Sequence, residues 1–242
     1  MRTDTATAAP SGQDALRGIS SMATRQLLAD LVQDWAGRGL PVGIESVGGV
    51  DAARRVMANE AFDLVVLASD AIDRLMIAGK LLPGSRVDVV HSGVSVAVRA
   101  GQALPDIATE ADLRQTVQAG GRIGFSTGPS GVALQQLFTT WGLADALAGR
   151  LVQAPAGVPV ATLVARGEVD LGFQQLSELL HVPGITIVGP MPPEVAIVTT
   201  FSAAVCATCT DPARQAATRA FIDFMASPEC SAAKQRQGME PA

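Results

Sequence analysis

The stretch Phe62-Asp63-Leu64-Val65-Val66-Leu67-Ala68 limits the fold more than any other part of the chain. Apart from Asp63 it is apolar throughout, so a strand built from it has no face for water. Strands buried on both faces belong to parallel sheets covered by helices. The flanking sequence agrees. Residues 16–20 start a first unit, and Leu27, Leu28, Leu31, Val32 and Trp35 recur at helical spacing across residues 23–36. Residues 41–47 read as strand, 50–58 as helix, and 71–78 as a helix closed by Gly79. The first eighty residues therefore read β-α-β-α-β-α, an α/β pattern.

The pattern then changes. Residues 87–98 form one long β-rich stretch containing His91 and Ser92. Helices are expected at 110–118, 130–140, 141–147 and 158–166. Strands are expected at 122–125, 151–153, 169–173, 185–188 and 197–206, and two terminal helices at 213–225 and 227–237. Two βα halves joined by long β-rich crossings, at 87–98 and 199–207, imply two lobes. Residues 15–90 and 207–242 are expected to form lobe one, and 91–206 lobe two with the hinge crossings. Residues 1–14 read as a disordered tail. A cleft between lobes is a usual place for a small ligand.

Charge and composition exclude several classes. The 242 residues carry a formal net charge of -5, with lysine only at Lys80 and Lys234, so no basic face for a nucleic acid is expected. No run approaches the ~18 apolar residues of a transmembrane helix, so no membrane insertion is expected. The N-terminus lacks the apolar core of an export signal. The chain as written reads as cytoplasmic, or as periplasmic if a signal has been removed. Cys206 and Cys209 have redox or zinc spacing, but Cys230 is the sole further cysteine, and His91 and His181 are distant in sequence. Buried thiols are expected, with neither a metal nor a cofactor.

Four loops each follow a strand, carry small hydroxyl or glycine residues, and open a helix. They are Gly18-Ile19-Ser20-Ser21-Met22-Ala23-Thr24, Ser46-Val47-Gly48-Gly49-Val50-Asp51, Ala68-Ser69-Asp70, and Ser126-Thr127-Gly128-Pro129-Ser130-Gly131. Such loops lie at the carboxyl ends of strands, where N–H groups, hydroxyls and helix dipoles attract an anion. Any one of them also reads as an ordinary helix cap. The Gly-Lys-Ser/Thr of a phosphate loop is absent.

These loops, with Phe62–Ser69, Gly167-Glu168-Val169-Asp170-Leu171-Gly172-Phe173 and the ending Phe224-Met225-Ala226-Ser227-Pro228-Glu229, carry a family resemblance. From about Leu16 to Ala242 the chain resembles the molybdate-binding type of ABC-transporter solute-binding proteins. The resemblance implies a two-lobed type II periplasmic-binding fold, each lobe a mostly parallel sheet flanked by helices. It implies a small anionic ligand, and a transporter membrane component as partner. It carries ligand contacts onto Ser20 or Ser21, onto the neighbourhood of Gly48 and Gly49, and onto Val158 through its backbone. Two departures stand out. Gly48-Gly49 lies where molybdate binders place a serine, and Gln174-Gln175 occupies the stretch of a tyrosine that this sequence lacks. Glutamine both donates and accepts, which suits an organic di- or tricarboxylate better than a tetrahedral oxyanion.

Candidate ligand-binding residues are thus Ser20, Ser21, Arg25, Gly48, Gly49, Ser69, Ser126, Thr127, Ser130, Val158, Gln174 and Gln175. Arg25, on the first turn of its helix, is the guanidinium nearest in sequence to a loop and a candidate carboxylate clamp. Arg54 and Arg55 read as surface, Asp70 as a cap, and Glu178 with His181 as a surface pair. His91 is the best single proton-transfer candidate. Two functions remain open. One is a binder that closes on its anion. The other is a cytoplasmic isomerase of the aconitate isomerase type, which the resemblance also includes and which needs a base for allylic proton transfer. No base is evident. A ligand-sensing regulatory domain lacks an attached DNA-binding or signalling segment here.

Overall fold

The computed structural model of the chain describes residues 15–242, so the expected tail at 1–14 lies outside the described residues. The first units are β1 (Leu16–Ser21), α1 (Arg25–Trp35), β2 (Val42–Val47), α2 (Gly49–Met57), β3 (Leu64–Ala68) and α3 (Ser69–Ile77). Next come β4 (Val87–Arg99), α4 (Glu110–Ala119), β5 (Ile123–Phe125), α5 (Pro129–Thr140), α6 (Ala144–Leu147) and β6 (Leu151–Gln153). Then follow α7 (Val160–Ala165), β7 (Leu171–Gln175), α8 (Leu176–Leu179), β8 (Ile185–Pro190) and β9 (Val198–Val205). The chain ends with α9 (Pro212–Ala226), α10 (Ser231–Arg236) and β10 (Met239–Pro241). The sequence reading contains neither α8 nor β10, and it starts β7 two residues early.

The strands follow the order β2-β1-β3-β9-β4-β7-β5-β6, with β8 and β10 also paired to β4. β1 runs parallel to β2 and β3, and β5 runs parallel to β6 and β7. These two parallel triplets are joined by antiparallel β9 and β4. β4 serves both halves: Val87–Gly93 pairs with β9, and Val94–Ala97 pairs with β7. Residues 201–205, which the expected boundary at 206 and 207 assigns to lobe two, hydrogen-bond to β3 in the first sheet.

All five residues of β3 are buried, as its apolar run requires. α1 turns Leu27, Leu28, Leu31 and Trp35 inward, where Trp35 meets Phe221 and Phe224 of α9 at ring-centroid distances of 5.5 and 5.2 Å. Each such aromatic pair contributes about 0.5–1.5 kcal/mol beyond its buried area. The terminal helices thus share a core with the first ninety residues. Phe138, Trp141 and Phe173 centre a separate core in the middle of the chain. Asp63, the polar residue in the apolar run, accepts from Arg214 of α9 and from the Arg17 N–H at 2.8 Å. Burial alone would raise its carboxyl, but these hydrogen bonds outweigh it and hold the group below the usual range.

Candidate functional site

The carboxyl ends of the parallel strands open on a cavity of about 400 Å³. From the first half, Ser21 ends β1 and its Oγ accepts from the Ala23 N–H at 3.3 Å. Gly48 and Gly49 start α2, and Ala68 precedes α3; neither helix has a side-chain cap. From the second half come the 126–130 loop with the start of α5, the Gly157-Val158 turn before α7, and the end of β7. A Cβ at Gly131 would lie 1.9 Å from the Ser126 carbonyl oxygen, so only glycine permits that loop to fold over its helix. The fold brings the Ser126 and Ser130 hydroxyls to 3.2 Å. N–H groups at uncapped helix starts and hydroxyls therefore face one space from two sides, an anion-attracting arrangement without a buried cation.

Of the sequence candidates, Ser21, Gly48, Gly49, Ser126, Thr127, Ser130, Val158, Gln174 and Gln175 line this cavity. Ser20, Arg25 and Ser69 do not. Ser20 is fully buried and its Oγ lies 2.8 Å from Ser46 Oγ, because adjacent strand residues face opposite ways and Ser21 takes the cavity side. Arg25 is exposed. A 3₁₀ turn at Met22–Thr24 precedes α1, which puts Met22 and Ala23 against the cavity and leaves Arg25 facing solvent. Ser69 is the first residue of α3, and the cavity is met by Ala68, Ala71, Arg74 and Leu75 instead.

Two guanidiniums outside the sequence candidates stand at the cavity. Arg54 is on the surface as expected, and Val50, Ala53, Arg54 and Met57 form one helical face towards the space. Arg74 lies on the matching face of α3. Both are well exposed, and they pair with Asp51 at 2.5 Å and Asp70 at 2.9 Å. The i, i+3, i+4, i+7 spacing was a usable signal, since Val50 and Met57 are 63% and 42% exposed and contribute little to the core. Arg55 is turned away and binds Glu45 and Glu60.

The largest correction concerns Glu178. It lines the cavity and is only partly accessible, rather than forming a surface pair with His181. His181 has φ of 65°, in the left-handed region, beyond the end of α8, so the helical spacing of the pair does not exist. Gln174 donates from Nε2 to Glu178 Oε1 at 2.9 Å, and its own Oε1 accepts from the Ala161 N–H at 3.1 Å. Gln174 and Gln175 are both buried. Gln175 donates to Thr199 Oγ1 at 2.8 Å. Burial pushes the Glu178 carboxyl up to about 7, against the smaller downward pulls of Gln174 and of the Arg25 charge. α8 is pinned to the first half by Ser177 Oγ, which donates to the Ala23 carbonyl at 2.8 Å. His91 does not line the cavity; its Nδ1 lies 2.9 Å from Thr200 Oγ1. The three cysteines are buried free thiols, with Cys209 pushed up to about 11 by burial, and no cluster of three metal-ligating side chains occurs among the described residues.

With this geometry in view, the relatives are informative. The sequence pattern of the family described as bacterial extracellular solute-binding protein matches residues 16–240. The chain belongs to that family. It is 37% identical over 188 residues to an aconitate isomerase from Pseudomonas sp, covering 77% of this chain and 70% of the relative. Its fold is similar to that of the Azotobacter vinelandii periplasmic molybdate-binding protein, with a TM-score of 0.77 at 22% identity over 93% of this chain and 98% of that one. The sulfate-binding protein SubI from Mycobacterium tuberculosis H37Rv gives a TM-score of 0.75 at 17% identity, covering 95% and 88%. The two-lobed solute-binding fold expected from the sequence is the fold of this protein. No helix among the described residues is long and apolar enough to cross a membrane.

Proposed function

We propose that the cleft binds a small organic di- or tricarboxylate rather than a tetrahedral oxyanion, and that the two lobes close on it by bending where β4 passes from one sheet to the other. The observation that carries this reading is the composition of the wall. Neutral N–H and hydroxyl donors come from both halves, apolar residues such as Met22, Leu67 and Phe201 fill the space between them, and among the described residues Glu178 is the one carboxyl group that lines it. A cavity of about 400 Å³ is in the range of organic-ligand pockets. Apolar surface suits a carbon skeleton, and the separated donor clusters suit carboxylates several bonds apart. Arg54 and Arg74 stand where an outer carboxylate would reach.

A second reading, isomerisation of an unsaturated tricarboxylate, is supported by the 37% identical relative named as an aconitate isomerase. It is supported as well by a carboxyl group in the cavity wall that can exchange a proton near neutral pH. Under the first reading the partner is a transporter membrane component that recognises the closed form, and the family's extracellular description supports export. Under the second the protein needs no partner beyond its substrate. A thermal-shift screen separates the ligand classes, because a ligand selective for the folded state raises the melting temperature. Citrate and both aconitates are expected to raise it more than molybdate or sulfate. Stabilisation by the oxyanions alone would overturn the proposal.

A further inference from the structure

Glu178 is held in a way that a merely structural carboxylate would not need. Gln174 anchors one oxygen, Oε1, at 2.9 Å, and the amide is itself fixed by the backbone at Ala161. Among the described residues no donor engages the other oxygen, Oε2, and the side chain borders the cavity. Among the described residues no other carboxylate and no histidine lines that space; the other charged side chains there are Arg54 and Arg74. Arg25 is the cation whose charge reaches Glu178. One oxygen fixed and one open to the cavity, beside the donors proposed above to hold carboxylates, suits a group that moves a proton on a bound acid.

We propose that Glu178 carries the proton in an allylic shift on a bound unsaturated tricarboxylate, with Gln174 as its positioning residue. The assignment rests on the isomerase reading above. In the step, Glu178 Oε2 takes a proton from the methylene carbon next to the double bond. The C–H electron pair enters the allylic system and its attached carboxylate, where N–H and hydroxyl donors stabilise the added charge. Glu178 then returns the proton to the far carbon of the allylic unit, and the double bond ends one carbon away. Glu178 finishes as the carboxylate it began as, so no oxidant, reductant or further proton source is required. The burial-raised carboxyl is divided between its two forms near neutrality, which suits a group that must first accept and then donate.

The test uses the full chain, with cis-aconitate as substrate and citrate as a ligand that lacks the double bond. NMR in deuterated buffer follows conversion of cis-aconitate and exchange at its methylene. Calorimetry follows citrate binding in the wild type and in Glu178→Gln. The expected result is conversion by the wild type, a loss of about 10²–10⁴-fold in Glu178→Gln, and citrate affinity unchanged or tighter in the variant. Conversion by Glu178→Gln at a comparable rate would overturn the assignment and leave the isomerase reading standing. A wild type that binds both ligands but neither converts nor exchanges cis-aconitate would overturn both. If Glu178→Gln does not fold, the wild-type pH profile decides. The rate should rise with pH through one ionisation at or above about 7, and a profile flat across that range would overturn the proposal.

Discussion

Gln174 and Glu178 are joined side chain to side chain at 2.9 Å across the junction of β7 and α8. The contact couples a buried strand residue to a carboxyl group in the cavity wall. A hydrogen bond to the charged form lowers a carboxyl pKa, so its removal has a defined sign. In Gln174→Met the Glu178 ionisation is expected to move upward by roughly one to two units, the equivalent of a charge-assisted hydrogen bond. Carbon NMR of the labelled carboxyl measures this without reference to activity. An unchanged ionisation would mean that the hydrogen bond does not form in solution.

Glu178 also makes apo stability depend on pH. Its folded ionisation, about 7, lies above the ordinary 4.5. Its contribution is therefore fully present below about 4.5 and lost as pH rises through about 7. Glu178→Gln, which stays neutral, should match the wild type near pH 4. At pH 8 it should exceed it by roughly 3 kcal/mol, or on the order of 10 °C in melting temperature. Thermal unfolding at the two pH values checks this; a variant less stable at pH 8 would contradict it.

The guanidiniums separate by position. Arg25 is exposed and acts at the cavity only through the Glu178 charge, so Arg25→Ala should change citrate affinity by less than about threefold. Arg54→Ala and Arg74→Ala should each weaken citrate by about three- to tenfold. Those losses should shrink in high salt, because both side chains are exposed and screened. Monocarboxylates should be unaffected. Calorimetry at two ionic strengths gives the comparison.

Asp63 supplies a prediction about the fold. Its carboxyl is held low, so its contribution is present above the unfolded value and lost as pH falls through the folded one. Asp63→Asn should cost roughly 1.5–3 kcal/mol at pH 7. The gap from the wild type should narrow as the solution becomes acidic enough to protonate the paired carboxylate. Urea unfolding across that acid range measures it.

The alternation of strands and helices was readable because long elements carry their period: β3 is apolar throughout, and α1 repeats its inward residues over three turns. The cavity loops were readable for a related reason, since small hydroxyl and glycine residues after a strand mark a helix start near a strand's carboxyl end. What failed was phase and brevity. Ser20 and Ser21 alternate, and only the Ser46 contact from β2 decides which one faces inward. α8 is four residues long, too short to show a period, so Glu178 looked like surface. Arg54 is on the surface, as its position deeper in the helix implied, and its helix also turns a face towards the cavity.

The central claim, an organic carboxylate in this cleft, is tested most directly by calorimetric titration of citrate and of molybdate into the same protein at pH 7.5. An anion beside Glu178 should raise its ionisation, so citrate binding is expected to take up a fraction of a proton, seen as a heat that changes with the buffer's ionisation enthalpy. Saturable citrate binding with proton uptake, tighter than molybdate, is the predicted result. Tight molybdate binding with no citrate binding would contradict the account.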